Sequence, residues 1–486
     1  MSRAAPTHAD PVARGAAAVI GGPLGRFARV PASSWWTPGR ILIVMAALAY
    51  SLGFLLDVPC TMNGWASPDR YEHLCYSDIP PLFSLRGFAD GFFPYLETPP
   101  GGQPLEYPVL IGLFMQVAAW ITQGIGVVVP DLNAPLAFFG VNVVLLYPFL
   151  LLAVLATART MRARPWDAAM IALAPSVILA ATINWDLIAI GLAAAAIMLW
   201  ARKQPVAAGV LLGLAVSAKF YPILFLGPLL ILCLRAGRMR AWTRLAIATI
   251  VTWLAINLPF AIANFDGWFY FYDFSSTRGQ DFGSVWYAAS LWGMPSIPAD
   301  QLNLIATGLF LVLCGGIACL IWLAPQRPRL GGMLFLVVAA FVVTNKVYSP
   351  QFVLWLVPLA ALARPRWRDF LIWQAGQVAY FVAIWWYLAG VGIDDAKGMT
   401  PEWYGFFIFV QVGVTIWLCA LIIRDSLYPE CDPIRTDGIP CDADDPAGGV
   451  LDGAGDHPLR ARWPRHVADE ADYADDPSER STTTGA

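Results

Sequence analysis

Asp78 sits in Tyr76-Ser77-Asp78-Ile79-Pro80-Pro81-Leu82-Phe83-Ser84-Leu85-Arg86-Gly87-Phe88, just after the first long apolar run. Leu82, Phe83, Leu85 and Phe88 fall at helical spacing, which predicts a short amphipathic helix at a membrane surface. A carboxylate ahead of that helix, among aromatic residues, is partly desolvated and suited to taking a proton from a hydroxyl. Asp at such a place also serves as an ordinary helix N-cap, and the sequence leaves both roles open. A second carboxylate, Glu106, closes the same stretch in Gln103-Pro104-Leu105-Glu106-Tyr107-Pro108, where it is either functional or a plain helix-start charge.

Three more polar groups interrupt apolar runs: Asn184-Trp185-Asp186, Ala218-Lys219-Phe220-Tyr221-Pro222 and Asn345-Lys346-Val347-Tyr348-Ser349-Pro350-Gln351. The chain has few lysines, so Lys219 and Lys346 stand out. An ionisable group within a span costs about 2.5–3.5 kcal/mol on insertion scales, and a phosphate at headgroup depth would give it a use. Snorkelling to bulk headgroups is the other account. The stretch 264–300 is crowded with rings, Trp268, Tyr272, Trp286 and Trp292 among them. An interfacial aromatic belt explains most of these, and stacking on a sugar face explains one or two.

The surrounding composition demands a membrane. Of 486 residues, 58% are apolar and 13% charged, where a soluble domain has about 25% charged. A mean hydropathy of +0.59 excludes a soluble globular protein, a disordered chain and a nucleic-acid binder. Thirteen apolar segments follow Ile41, at about 41–56, 107–129, 134–158, 168–183, 185–201, 205–218, 221–234, 245–263, 302–324, 330–344, 351–363, 370–389 and 404–423. Basic clusters near Arg40, Arg159, Arg202, Arg235, Arg327, Arg364 and Arg424 mark the cytoplasmic side. With both termini inside, the number of crossings is even. Segments 107–129 and 134–158 cannot both cross, so twelve spans are expected and one segment does not traverse. The first extracytoplasmic stretch is then the long one, 57–106.

The expected domains are a basic cytoplasmic segment 1–39 without a cleavable signal pattern, a transmembrane domain 40–424, and a tail 425–486. That tail carries fifteen acidic residues against five arginines, with few large apolar residues, and is expected to be a disordered cytoplasmic segment. Cys60 and Cys75 flank a polar-biased loop, and a disulfide between them is expected if it faces an oxidising compartment. Cys431 and Cys441, without a nearby His at ligand spacing, do not suggest a metal. His73 is the only His in the membrane body, so no His-based metal site is expected. No Walker loop, dinucleotide fingerprint or Asp-x-Asp motif is present, which argues against a cytosolic nucleotide donor.

Taken in order, Asp78…Arg86-Gly87, Glu106-Tyr107-Pro108, Asn184-Trp185-Asp186-Leu187, Gly213 to Pro222, and Asn345 to Gln351 resemble the actinobacterial integral-membrane sugar transferases of the GT-C fold, glycosyltransferase family 87. The resemblance covers about residues 41–424. It implies an all-α polytopic GT-C-like bundle and an inverting transfer of a sugar, mannose first, from a polyprenyl phosphate donor to an extracytoplasmic lipid or glycan acceptor. It implies Asp78 as catalytic base, Lys346, Lys219 and Arg86 as donor-phosphate ligands, and Glu106, Tyr107, Asp186, Tyr348 and Gln351 as substrate contacts. The partners are the lipid-linked donor, the acceptor and membrane lipids in a bacterial plasma membrane, with no cofactor and no nucleic acid. Arabinofuranosyl transfer is the nearest alternative. A flippase without chemistry is the alternative from another class, but it would concentrate charge at the bilayer midplane.

Overall fold

The computed structural model describes residues 10–21, 35–391, 398–436 and 443–457. Its described elements are helical throughout. Six helices are long and apolar enough to cross a membrane, among them Pro38–Asn63, Ala134–Thr160, Met239–Ala263 and Pro401–Leu427, and shorter apolar helices fill the space between them. The protein is a polytopic membrane protein. Faces turned outward keep apolar residues such as Leu48, Ile250, Leu254, Leu304 and Val312 exposed, as lipid contact requires.

The principal helices are, in chain order, Pro38–Asn63, Val109–Val128, Ala134–Thr160, the short pair Ala169–Ala172 and Pro175–Ala180, then Asp186–Ala201, Pro205–Ala218 and Leu226–Arg235. Met239–Ala263, Ala299–Leu323, Leu330–Thr344, Val353–Ala363, Trp367–Gly390 and Pro401–Leu427 complete them.

Helix Val109–Val128 also has the length and composition of a span. Its start follows Tyr107, whose hydroxyl reaches Asp78, and its far half is tied by Gln123 Nε2 to the Phe88 carbonyl at 3.0 Å, so it packs against the segment that carries Asp78.

Small residues set the closest approaches. Gly209 and Gly213, four apart, press helix Pro205–Ala218 onto Met239–Ala263, and a Cβ on Gly213 would lie 2.6 Å from the Thr249 carbonyl. Such small-xxx-small contacts replace the hydrophobic driving force that lipid does not supply. They also fix where Lys219, at the end of that helix, is delivered.

Two expectations change. The helix after Asp78 spans Ile79–Leu85, but Leu82 and Phe83 are buried in protein and do not lie on a surface; Phe83 stacks on Phe138 at 4.7 Å. The tail is not wholly disordered. Residues 425–436 and 443–457 pack on the arginine-rich face. Asp432 makes a bidentate pair with Arg329, Asp456 pairs with Arg235, and Asp445 accepts the Leu330 N–H at 2.7 Å. Ile434 and Leu451 are buried beside them. The composition argument counted too few apolar residues to order the tail, and it left out the buried cations waiting on the helices. Residues 437–442, Cys441 among them, and 458–486 lie outside the described residues. Segment 264–300 also contains two helices, Phe265–Thr277 and Val285–Leu291.

Candidate functional site

Asp78 opens helix Ile79–Leu85, but its carboxylate makes no capping bond. Instead Tyr76 donates to Oδ1 at 2.7 Å and Tyr107 donates to Oδ2 at 3.3 Å. The backbone is pinned as well, because Asp78 N–H donates to the Ile183 carbonyl at 2.8 Å and Ser77 Oγ donates to the Thr182 carbonyl at 2.8 Å. Those two carbonyls come from the turn after Pro175–Ala180. The end of that short helix is what lets loop backbone reach the carboxylate.

The same turn continues into Asn184-Trp185-Asp186. Asn142 accepts the Trp185 indole N–H at 2.7 Å, and Trp185 meets the Tyr107 ring edge-on at 5.3 Å. Asp186 starts helix Asp186–Ala201 and is almost fully buried. Its Oδ1 accepts from the Trp355 indole at 3.1 Å and pairs with Lys219 Nζ at 3.2 Å, while its Oδ2 has no partner. Lys219 also lies 4.9 Å over the Tyr107 ring. Tyr107 thus touches Asp78 through its hydroxyl and Lys219 through its face, and joins the acidic and basic halves of the site.

Glu106 faces this group as part of a bidentate pair, accepting from Arg86 Nε at 2.6 Å and Nη2 at 2.9 Å. Burial pushes the Asp78 carboxyl above its ordinary value, with the Glu106 charge adding to it. The Tyr76 hydrogen bond, Lys219 and the Tyr107 hydrogen bond oppose that rise without cancelling it. Among the described residues no cation stands within ion-pair distance of Asp78. A half-buried, hydrogen-bonded carboxylate with a raised proton affinity has the form a general base takes.

The site lies below the surface. Helices Asp186–Ala201 and Pro205–Ala218 have 16 and 14 residues, so they lift the Asp186–Lys219 pair only about 21–24 Å above the arginine-rich face, within a roughly 30 Å apolar depth. Beside it, Val216, Phe220, Ile223, Trp253, Trp268 and Tyr272 line an open groove without polar walls.

Asp78, Arg86, Glu106, Tyr107, Asp186 and Lys219 are therefore brought into one group. Lys346 belongs to another. Its ammonium donates to the Ser276 carbonyl at 3.0 Å, and burial together with the nearby Arg278 holds it below the usual lysine value. Tyr348 is buried toward Tyr380, which donates to its carbonyl at 3.4 Å. Gln351 is buried one turn before Trp355. Cys60 and Cys75 form a disulfide with a Cα–Cα separation of 5.9 Å. Among the described residues no cluster has the composition of a metal site. Tyr76, Trp185 and Trp355 also hold the site together, a role their sequence setting did not assign them. Only their position beside Asp78 and Asp186 in the chain, or across a helix pair, could have flagged them.

Residues 106–344 match the sequence profile of Glycosyltransferase family 87, a stretch that includes Glu106, Tyr107, Asp186 and Lys219. Two curated proteins are similar. GPI mannosyltransferase 1 of Eremothecium gossypii is 24% identical over 226 residues, covering 44% of this chain and 49% of that protein. GPI mannosyltransferase 1 of Kluyveromyces lactis is 27% identical over 194 residues, covering 38% of this chain and 48% of that protein. The chain spans about half the length of these curated relatives.

Proposed function

We propose that this protein moves a sugar, mannose by preference, from a polyprenyl phosphate to a hydroxyl of a lipid or glycan acceptor. The observation that carries the reading is the half-buried Asp78 carboxylate, hydrogen-bonded by two tyrosines and facing Lys219, with no ion-pair partner among the described residues. The preference for mannose rests on the names of the two similar proteins.

In this reading the acceptor oxygen attacks the anomeric carbon from the side of Asp78. The bond from that carbon to the phosphate oxygen breaks, and configuration inverts. The acceptor proton passes to Asp78, and the bonding pair leaves with polyprenyl phosphate. Phosphate is a stable leaving anion, so no general acid is required. Lys219 is placed to meet the growing charge by exchanging part of its contact with Asp186, the task of an oxyanion-stabilising group. Lys346 and Arg278 form a second basic pair through which the anion could be held on entry or exit. The apolar groove beside Phe220 suits an isoprenoid chain. The basic clusters support a cytoplasmic position for the opposite face, and in this reading the site opens to the extracytoplasmic side of a bacterial plasma membrane.

Membranes bearing the protein or Asp78→Asn, given labelled polyprenyl-phosphate mannose and polyprenyl-phosphate arabinose, test this directly. Transfer from the mannose donor is expected, with a loss of about 10²–10⁴-fold in the variant at equal protein level. Transfer from arabinose alone would reassign the sugar. Undiminished transfer by the variant would remove Asp78 as the base.

A further inference from the structure

The carboxylate of Asp78 is held from one side by a stack of rings that the function so far does not use. Tyr76 stacks on Trp385 of helix Trp367–Gly390 with ring centres 4.6 Å apart, and Tyr71 stacks on both, at 5.8 Å from Tyr76 and 6.1 Å from Trp385. The Arg70 guanidinium lies 4.7 Å from the Tyr71 ring centre and 5.5 Å from that of Tyr76. The residue before Tyr76 is Cys75, buried and joined to the buried Cys60 at the end of helix Pro38–Asn63. The residue after it, Ser77, is hydrogen-bonded to the Thr182 and Ile183 carbonyls. Tyr76 is thus fixed along the chain on both sides and packed through its ring against Trp385 and Tyr71. Its one free gesture is the hydroxyl, which donates to Asp78 Oδ1 at 2.7 Å.

We propose that Tyr76 is the positioning residue of Asp78, aimed by the Cys60–Cys75 bridge and the Trp385–Tyr71 stack. The inference rests on the reading of Asp78 as base. A tyrosine with a free χ1 would swing to water or to another acceptor. Clamped, it holds one carboxylate oxygen in a fixed direction and leaves Oδ2, with its longer bond to Tyr107, as the oxygen that turns to the acceptor hydroxyl. Preorganisation of this kind keeps a base in its reactive orientation before substrate arrives. The bridge ties the device to an oxidising compartment, because without it the chain just before Tyr76 loses its anchor to helix Pro38–Asn63.

The charged and titratable groups facing Asp78 are Tyr76 and Tyr107, Lys219 with its partner Asp186, Glu106 with its partner Arg86, and Arg70 behind Tyr76. The Tyr76 hydrogen bond favours the ionised carboxylate, so its removal raises the proton affinity of Asp78.

The test uses full-length protein in membranes and two readouts. The first is the pH dependence of labelling of Asp78 by dicyclohexylcarbodiimide, which attacks the protonated carboxyl, quantified on the Asp78 peptide by mass spectrometry. The second is the pH profile of sugar transfer. In Tyr76→Phe the labelling midpoint should rise by about one pH unit, a tenfold change in proton affinity. The acidic limb of transfer should rise with it, kcat should fall, and the KM for donor should hold. Trp385→Leu and the double variant Cys60→Ser/Cys75→Ser should shift the midpoint in the same direction by less. These variants keep the tyrosine, so they report on the clamp even if Tyr76→Phe accumulates poorly. A purely structural role would lower protein level and leave the midpoint in place. An unmoved midpoint in Tyr76→Phe, with Asp78→Asn inactive, overturns the positioning role and leaves the base assignment intact. A shifted midpoint with Asp78→Asn still active establishes the clamp and removes the base.

Discussion

At the arginine-rich face, Arg329 gives its guanidinium to both oxygens of Asp432 and to the carbonyls of Leu362 and Ala363; at the opposite face, Asp78 has two tyrosine hydroxyls and no cation. Arg329 is buried and Asp78 half-buried. Arg364 is shared between Asp369 and Asp425, and Arg235 meets Asp456 in the same saturated way. The site instead sets Asp78, Glu106 and Asp186 against Lys219 and Arg86, one carboxylate in excess, with Asp186 Oδ2 unpartnered. A buried pair with its hydrogen bonds satisfied is finished structure. A buried charge left short of partners is stored electrostatic free energy that an incoming proton or substrate can relieve.

The comparison is broken most severely by opening a saturated pair. Arg329→Met leaves Asp432 buried without its cation and should cost about 3–5 kcal/mol of stability. The loss should appear as a lower thermal unfolding temperature in detergent, while the double variant Arg329→Met/Asp432→Leu recovers most of it. At the site, Lys219→Met also strips a buried carboxylate of its cation, but it should cost less stability than Arg329→Met, because Lys219 is less buried than Arg329 and Asp186 keeps its bond from Trp355. A reduction of roughly 10–100-fold in transfer is expected, carried mainly by kcat, because the lost cation serves charge that develops in the reaction. Equal losses of stability from the two variants would erase the distinction between the faces.

The smallest effect is in pH, and its sign differs between the two regions. Burial raises the Asp78 carboxyl in the folded protein, so acidification protonates it above the ordinary carboxylate value of about 4. Activity is lost there, and the fold gains from the proton. Asp432 is desolvated too, but Arg329 outweighs that and holds it below its ordinary value. Its contribution to stability is complete above the unfolded value and fades only as pH falls through the lower folded one. A window should therefore exist in which transfer has stopped and the protein remains folded, read by assaying transfer and circular dichroism across the same acid titration. Simultaneous loss of both would refute it.

Asp186 and Lys219 were legible because each interrupts an apolar run, where a charge is conspicuous; Asp78, in the loop after the first run, was legible from its aromatic setting and from the family resemblance. The charge alternation required one segment not to cross and could not say which, and it gave no sign of Gln123 reaching the Phe88 carbonyl, a contact between residues 35 apart in the chain. Lys346 has the same local signature as Lys219, yet its ammonium turns to Ser276, because the direction of a side chain at a helix end depends on the neighbouring loop. The tail was misjudged for the opposite reason. Its composition looks solvated when taken alone, and its order arises from complementarity with arginines 100 to 220 positions earlier. Tyr76 was invisible because an aromatic next to a carboxylate is common, and only the stack on Trp385 makes it particular.

The packed tail also sets a timetable. Asp425, Asp432 and Asp456 leave the ribosome after the arginines at positions 364, 329 and 235 with which they pair. Until then Arg329 and Arg235 lack those carboxylates, and their uncovered charge favours keeping their ends of the helices on the side where they were made. Residues 425–457 then act as a keystone across those helix ends.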